Sequence, residues 1–316
     1  MEPRSEGESV SAVLPIYGAF SVERLEVCLA ALGWQRDVDL EIVIAEQNPE
    51  PRLEDYAARR RLSYCYSRPD SRDEQDRFNT GRVRNEGIDA STGRLVLLTD
   101  ADIVFPSPRY VARLVEMHAN NGGSVLVEPP MRRITGTSFP AFRKAVERYG
   151  MEHALSKLHR PGAYVATMGA DRGGITVVTH KGRVSTADEE LLRDARATSS
   201  VRGREPALFH PIFHGGTIFA RRSQLDEVVG YCERFLTWGF EDQDLKWKLR
   251  HRFELTELSG SDTWEVLHLD HPKSYFDPDL FQRNRAIAGD RYKMGAANAM
   301  EQDRQGGKSR YVRRLC

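Results

Sequence analysis

Cysteine is scarce in this chain. Its four residues, Cys28, Cys65, Cys232 and Cys316, lie far apart and match no metal-binding spacing. Neither a disulfide framework nor a cysteine-ligated metal is expected; reduced thiols in a cytoplasmic protein are. An excess of charge is missing as well, since 46 Lys and Arg balance 46 Asp and Glu. That argues against nucleic acid as a partner, because affinity for a phosphate backbone needs a basic surface. No apolar run reaches the ~18 residues of a membrane span, and the opening MEPRSEGESV lacks the apolar core of a signal peptide. No internal repeat is present.

What is there alternates. Residues 11–17 (SAVLPIY) read as a buried strand, 21–32 as a helix with Val22, Leu25, Leu29 and Leu32 on one face, and 40–45 (LEIVIA) as a second strand. A third strand is read at 62–66, followed by a polar loop, 67–77. Residues 79–90 read as a helix, 94–99 (RLVLLT) as a strand, 109–120 as a helix and 124–128 as a strand stopped by Pro129-Pro130. This order predicts an α/β fold, a mostly parallel central sheet flanked by helices. Ligands bind such sheets at the carboxyl ends of the strands. The expected organisation is a disordered segment 1–10, a ligand-binding half 11–130, an insertion 131–209, a second half 210–272 and a basic tail 273–316. Within the insertion, 141–157 reads as a helix and 174–184 as a hairpin that carries His180-Lys181-Gly182.

Three clusters carry chemistry. Asp100-Ala101-Asp102 follows the apolar run RLVLLT. Two carboxylates at a strand end can reach one cation, and Mg²⁺ or Mn²⁺ takes such oxygen ligands together with substrate phosphates. The run Trp238-Gly239-Phe240-Glu241-Asp242-Gln243-Asp244 opens a helix. Its adjacent carboxylates suit a general base, although taken alone they read more simply as an acidic cap of a helix N-terminus. His268-Leu269-Asp270-His271 follows an apolar strand, and a neutral imidazole can complete a metal site.

Together LPIY, EIVIAEQ, RNEGIDASTG, TDAD, HGG and TWGFEDQDL resemble the GT-A glycosyltransferases. The resemblance is to family-2 enzymes with a galactosyltransferase-type C-terminal motif, such as β-1,4-galactosyltransferases and bacterial chondroitin polymerase domains. It covers 11–130 and 210–272. It implies a metal-dependent inverting transfer of a sugar from a nucleotide diphosphate, UDP by resemblance, to a small-molecule or glycan acceptor. By residue, it implies that Pro15 and Tyr17 flank the base and that Glu46 stands where the family has an Asp at base or ribose. Asp100 lies near ribose and metal, and Asp102 ligates the metal directly, with Ala101 between them. Asn85 matches an asparagine of the FN…N.G segment, and Gly215 and Gly216 a glycine pair before the acceptor motif. Trp238 matches an aromatic that packs on sugar. Asp242 matches the catalytic base, with Glu241 beside it holding the acceptor. His268 matches the late metal-binding histidine, with His271 as the rival.

Two departures stand out. Thr80 occupies the place of a phosphate-binding Arg, which leaves that task to Arg82 or Arg84, and Phe240 replaces a small residue. The loop 67–77 and the tail, with Arg283, Arg285, Arg291 and Lys293, are candidate lids over the diphosphate; a solvated basic helix is the plain alternative for the tail. The insertion either shapes acceptor selection or serves as a contact in a homo-oligomer. Rival functions are a retaining glycosyltransferase on the same fold and a nucleotide-sugar or glycan-binding protein without catalysis. A nucleotidyltransferase would need a glycine- and lysine-rich phosphate loop after the first strand, where this chain has PIYGAFSVERL.

Overall fold

The computed structural model describes residues 8–18, 20–69, 77–134, 138–158, 213–258, 262–271 and 277–306. For 133, 164–167, 175–178 and 313–315 it describes the backbone alone. The first half runs β1 (Val10–Tyr17), α1 (Val22–Gly33), β2 (Leu40–Gln47), α2 (Glu54–Arg60), β3 (Ser63–Ser67), α3 (Thr80–Ala90), β4 (Leu95–Leu98), β5 (Ile103–Val104), α4 (Tyr110–Asn120) and β6 (Val125–Val127). The middle has β7 (Met131–Ile134), α5 (Phe139–Tyr149), α6 (Met151–Lys157) and a hairpin of β8 (Tyr164–Thr167) and β9 (Ile175–Val178). Then come β10 (Ile218–Arg221), α7 (Arg222–Glu227), α8 (Glu241–Arg252), β11 (Leu255–Glu257), β12 (Val266–Leu269), α9 (Pro278–Met294), α10 (Ala296–Gly306) and β13 (Arg313–Leu315).

Eight strands form the main sheet in the order β11-β6-β10-β4-β1-β2-β3-β13. Strands β4, β1, β2 and β3 are parallel to their neighbours within that run, and β11 is parallel to β6. β10 runs antiparallel to both β4 and β6, and β13 antiparallel to β3. Side chains alternate along β1 between the two faces of the sheet. Ala12, Leu14 and Ile16 pack with Leu25 and Cys28 of α1 and with Tyr110 and Leu114 of α4. Val13 packs on the other face with Val83 and Ile88 of α3 and Leu245 and Leu249 of α8. Helix α3 lies so close to the sheet that a β-carbon on Gly87 would stand 2.4 Å from Val13 Cγ1 and 3.1 Å from Ala45 Cβ. Only glycine fits there.

Differences from the sequence reading have local causes. The helix expected over 141–157 is two helices, broken at Gly150, whose φ is 82°. The apolar strand expected ahead of the histidine pair is β12, preceded by a 3-10 turn, Asp262–Trp264. Strand β7 pairs with β12, and β12 with β5, in a second three-stranded sheet. Phe139, Phe142, Met151 and Ala154 of α5 and α6 pack on Val27 and Ala31 of α1 and Leu267 and Leu269 of β12. The stretch up to residue 158 is thus built into the body of the molecule. The segment 1–7, the loop residues 70–76, His180-Lys181-Gly182 and Cys316 lie outside the described residues. Among the described residues, Cys28, Cys65 and Cys232 are buried and outside any disulfide. Among the described residues no helix is long and apolar enough to cross a membrane.

Candidate active site

The site forms where β4 ends and the chain turns through Thr99, Asp100 and Asp102 into β5. The turn is fixed by the backbone bonds Thr99 N to Val13 O and Ile103 N to Asp100 O. Ala101 points into the core, so the two carboxylates on either side of it meet different partners.

Asp100 meets Arg84 and His214. Arg84 Nη2 donates to its Oδ1 at 2.6 Å, and His214 Nε2 lies 3.0 Å from its Oδ2. Burial works against the charge on Asp100, but the Arg84 guanidinium and His214 hold its carboxyl well below the usual carboxylate range. The His214 ring is set by Thr217 Oγ1, 2.6 Å from Nδ1. Gly216 makes room for this arrangement: a β-carbon there would lie 2.8 Å from Arg84 Nη2 and 3.4 Å from Asp100 Oδ2.

Asp102 meets the two histidines of β12 and the residues that follow it. His271 Nε2 is 3.0 Å and His268 Nε2 3.5 Å from Asp102 Oδ2. Ligand atoms of Asp102, His268 and His271 all lie within 4.8 Å of one another. Asp102 Oδ1 is buried and makes no hydrogen bond, which a buried carboxylate oxygen rarely tolerates without a ligand or ion. Burial raises the Asp102 carboxyl, and the nearby His268 and His271 outweigh it, so it stays below the usual range. One carboxylate and two imidazoles form a set that suits Mn²⁺ better than Mg²⁺, which prefers an all-oxygen shell. Asp100 is outside this set because Arg84 and His214 take both of its oxygens.

The acidic corner lies on the other side of Arg84. Its Nη1 donates to Asp242 Oδ1 at 2.6 Å. One buried guanidinium therefore ties the strand-end acid to the helix-start acid. Burial alone would lower the affinity of Arg84 for its proton; Asp242, Tyr231 and Asp100 raise it well above normal. The Tyr231 hydroxyl donates to the same Asp242 oxygen at 3.2 Å, and the Tyr231 ring lies under the guanidinium, 5.1 Å from Cζ. Among the described residues, Asp242 Oδ2 has no hydrogen-bond partner. Glu241 is buried and accepts from Gly239 N at 2.7 Å. Burial and the adjacent Asp242 push its carboxyl up to about 8. The turn before it is strained, with Thr237 (φ 59°), Gly239 (φ 112°) and Phe240 (φ 74°) all left-handed. The backbone bond Thr237 N to Phe78 O, Thr80 Oγ1 to Thr237 O and Asn284 Nδ2 to Leu236 O hold it.

Other expected residues fall as follows. Pro15 and Tyr17 end β1, and Tyr17 stacks on Phe78 with ring centroids 5.1 Å apart. Glu46 is buried and fully engaged by the chain: it accepts from Asn48 Nδ2, Arg52 N, Leu53 N and the Tyr64 hydroxyl. Arg82 pairs with Glu86 at 3.1 Å and also donates to Arg68 O, on a different side of α3 from Arg84. Asn85 clamps the segment after α7, through Tyr231 N, Tyr231 O and Glu233. Trp238 is 47% exposed and stacks on Phe281 of α9. In the tail, Arg291 is buried between Asp244 and Asp303, which engage its guanidinium. Sequence reasoning assigned no role to His214, Thr217 or Tyr231. His214 was visible in the HGG motif; Tyr231 sits in the unremarkable run VVGYC.

Two family models match the sequence. That of glycosyl transferase family 2 covers residues 11–181, more than half of the chain. The chain belongs to glycosyl transferase family 2. The model described as the N-terminal domain of galactosyltransferase covers residues 198–272 of this family-2 chain, including the acidic corner and both histidines. The fold is that of the GT-A glycosyltransferases. GalNAc-T7, in a crystal structure with UDP, GalNAc and Mn²⁺, is similar with a TM-score of 0.54 and 14% identity, over 91% of this chain and 48% of its own. S. aureus TarS 1-349 has a TM-score of 0.49 and 15% identity, over 89% of this chain and 64% of its own. The mannosyltransferase PcManGT of Pyrobaculum calidifontis, with GDP-Man and Mn²⁺, has a TM-score of 0.47 and 15% identity, over 95% and 74%. The family-2 chain thus spans less than two thirds of the length of TarS 1-349 and about half that of GalNAc-T7. No curated protein matches it.

Proposed function

We propose that this chain is an inverting glycosyltransferase that moves a sugar from a nucleotide diphosphate sugar, UDP-linked, to an acceptor hydroxyl, with Asp242 as general base. The observation that carries the reading is the split of labour at Asp242. Its Oδ1 is fixed by Arg84 and Tyr231, while its Oδ2 has no partner among the described residues and is available to take a proton. A base held by one oxygen and open at the other is oriented without being blocked.

The acceptor hydroxyl gives its proton to Asp242 Oδ2 as its oxygen bonds to the anomeric carbon. The bond from that carbon to the diphosphate oxygen breaks, and the electron pair leaves with the nucleotide. Glu241, with its carboxyl raised to about 8, is protonated at neutral pH and adds no second negative charge beside the base. Arg84 stays paired with both aspartates and keeps the base at a fixed place relative to the strand end. Asp102, His268 and His271 would hold the divalent metal, Mn²⁺ on the donor set, which supplies charge neutralisation for the departing diphosphate. The resemblance of the TDAD and FEDQD motifs, and the UDP and Mn²⁺ of GalNAc-T7, support the donor and metal.

The anomeric outcome tests the mechanism. With a UDP-sugar, Mn²⁺ and an accepted glycoside, proton NMR of the first-formed product should show the configuration opposite to the donor's. Retention would remove Asp242 from the role of a single-displacement base.

A further inference from the structure

One polar pair beside Asp242 is used by nothing above. Glu128 follows β6, at the carboxyl end of that strand, and its carboxylate is ion-paired with Lys246 Nζ of α8. The two side chains are only 15% and 8% exposed. Taking two charges out of water is costly, and apolar residues of the same size avoid that cost. Glu128 also holds a left-handed backbone, φ 58°, immediately before Pro129. Glycine adopts that conformation without strain, so a glutamate there carries a backbone cost.

Lys246 lies one helical turn after Asp242, on the same side of α8. The two converge on one point. Where a β-carbon of Gly215 would stand, Lys246 Nζ is 3.9 Å away and Asp242 Oδ2 4.0 Å away. Apart from the chain neighbours His214 and Gly216, no other described residue comes within 4 Å of that point. The Phe213 ring centroid lies 5.7 Å from Nζ. The base oxygen and an ammonium therefore meet at one point, and the ammonium carries the Glu128 carboxylate beside it.

We propose that Glu128 and Lys246 are acceptor-recognition residues that read two adjacent hydroxyls of a neutral sugar while Asp242 takes the proton of a third. The proposal rests on Asp242 being the base. Lys246 donates to one hydroxyl oxygen, and Glu128 accepts from its neighbour. The pair sums to no charge, so it offers a carboxylate-bearing sugar no net attraction, and Glu128 with Asp242 repels one. A sugar lacking either hydroxyl forgoes a hydrogen bond to one member of the pair, which is the source of discrimination.

The test uses the full chain with Mn²⁺ and, in turn, UDP-glucose, UDP-galactose, UDP-N-acetylglucosamine and UDP-N-acetylgalactosamine. Release of UDP is measured with p-nitrophenyl β-glucoside, β-galactoside, β-N-acetylglucosaminide and β-glucuronide as acceptors. A neutral glycoside should raise UDP release above the rate with water alone, and the glucuronide should not. Lys246→Met and Glu128→Gln should each raise the acceptor KM at least tenfold and leave the donor KM within twofold. The milder Glu128→Gln keeps side-chain size, and thermal melts of both variants establish that they fold. The proposal is overturned if the glucuronide is preferred, if no neutral glycoside is used, or if the folded variants keep the parent's acceptor KM. Asp242→Asn separates the two readings: full transfer in that variant sinks the base, whereas a dead Asp242→Asn with an unmoved acceptor KM in the pair variants sinks the pair alone.

Discussion

Arg84 Nη1 and Asp242 Oδ1 are 2.6 Å apart, and the other terminal nitrogen of the same guanidinium is 2.6 Å from Asp100. The strand-end acid and the proposed base are thus joined through a single buried cation. Replacing Asp242 by Asn keeps the shape and removes the proton acceptor. The expected loss of transfer is about 10²- to 10⁴-fold, the usual worth of a general base. UDP affinity, measured by titration calorimetry with Mn²⁺, should stay within about threefold. Full activity in this variant would remove Asp242 from the chemistry.

Arg84 itself tests whether the link matters. Lysine offers one ammonium where arginine offers a planar fork, so Arg84→Lys can satisfy Asp100 or Asp242 but not both. We expect kcat to fall by about 10-fold or more with a smaller change in melting temperature. Arg84→Ala removes the buried cation that bridges two partly exposed carboxylates, and the loss of its charge-assisted hydrogen bonds should cost about 1.5–3 kcal/mol of stability. Urea unfolding of the two variants, alongside kcat, distinguishes a loss of placement from a loss of fold.

How much of this was open to sequence reading depended on the length of the signal. The apolar run ending in TDAD announced a strand end with two acids, and the structure puts a turn there. The short run IFAR of β10 has four residues and gives no direction, so its antiparallel placement between β4 and β6 was not legible. Arg82 and Arg84 stood as equal candidates. Two residues are about 200° apart around a helix, so they must face different ways, and the i,i+4 spacing of Arg82 to Glu86 was present in the sequence to pair the first of them. Glu46 shows the opposite limit. Its four hydrogen bonds come from residues up to 18 positions away, and only folding brings them together.

The two glycines of the HGG motif should respond differently to a methyl group. At Gly216 it would lie 2.8 Å from Arg84 Nη2 and 3.4 Å from Asp100 Oδ2, so the pair must shift. At Gly215 its nearest described neighbours are Lys246 Nζ at 3.9 Å and Asp242 Oδ2 at 4.0 Å, ordinary contact distances. Gly216→Ala should lower kcat more than tenfold and lower the melting temperature. Gly215→Ala should melt like the parent and act only on acceptor KM. Equal effects on both measurements would contradict the packing described at Gly216.

The metal set predicts a thermal signature independent of turnover. Saturating Mn²⁺ at 100 times its Kd should add about 2.7 kcal/mol of stability. Asp102→Asn and His271→Ala should each abolish most of that shift, and EDTA should reverse it in the parent. A full Mn²⁺ shift in the Asp102→Asn protein would place the ion elsewhere.

Glu241 predicts a pH dependence of known sign. Its carboxyl is raised from 4.5 unfolded to about 8 folded, so between those values the folded chain holds a proton that the unfolded chain has lost. Stability from this group is complete below about pH 4.5 and is lost as pH rises towards 8, at up to ~1.4 kcal/mol per pH unit for one proton. Glu86, raised by burial to about 7, contributes in the same direction, but it is present in both proteins and cancels in their difference. Asp100 is lowered, so its contribution is lost only at more acid pH and does not enter this window. Glu241→Gln cannot ionise and should remove the Glu241 part of the slope, so its stability relative to the parent should rise steadily from pH 5 to 8 in urea titrations. A constant difference across that range would mean that Glu241 is ionised in the folded protein, and that the base has a charged neighbour after all.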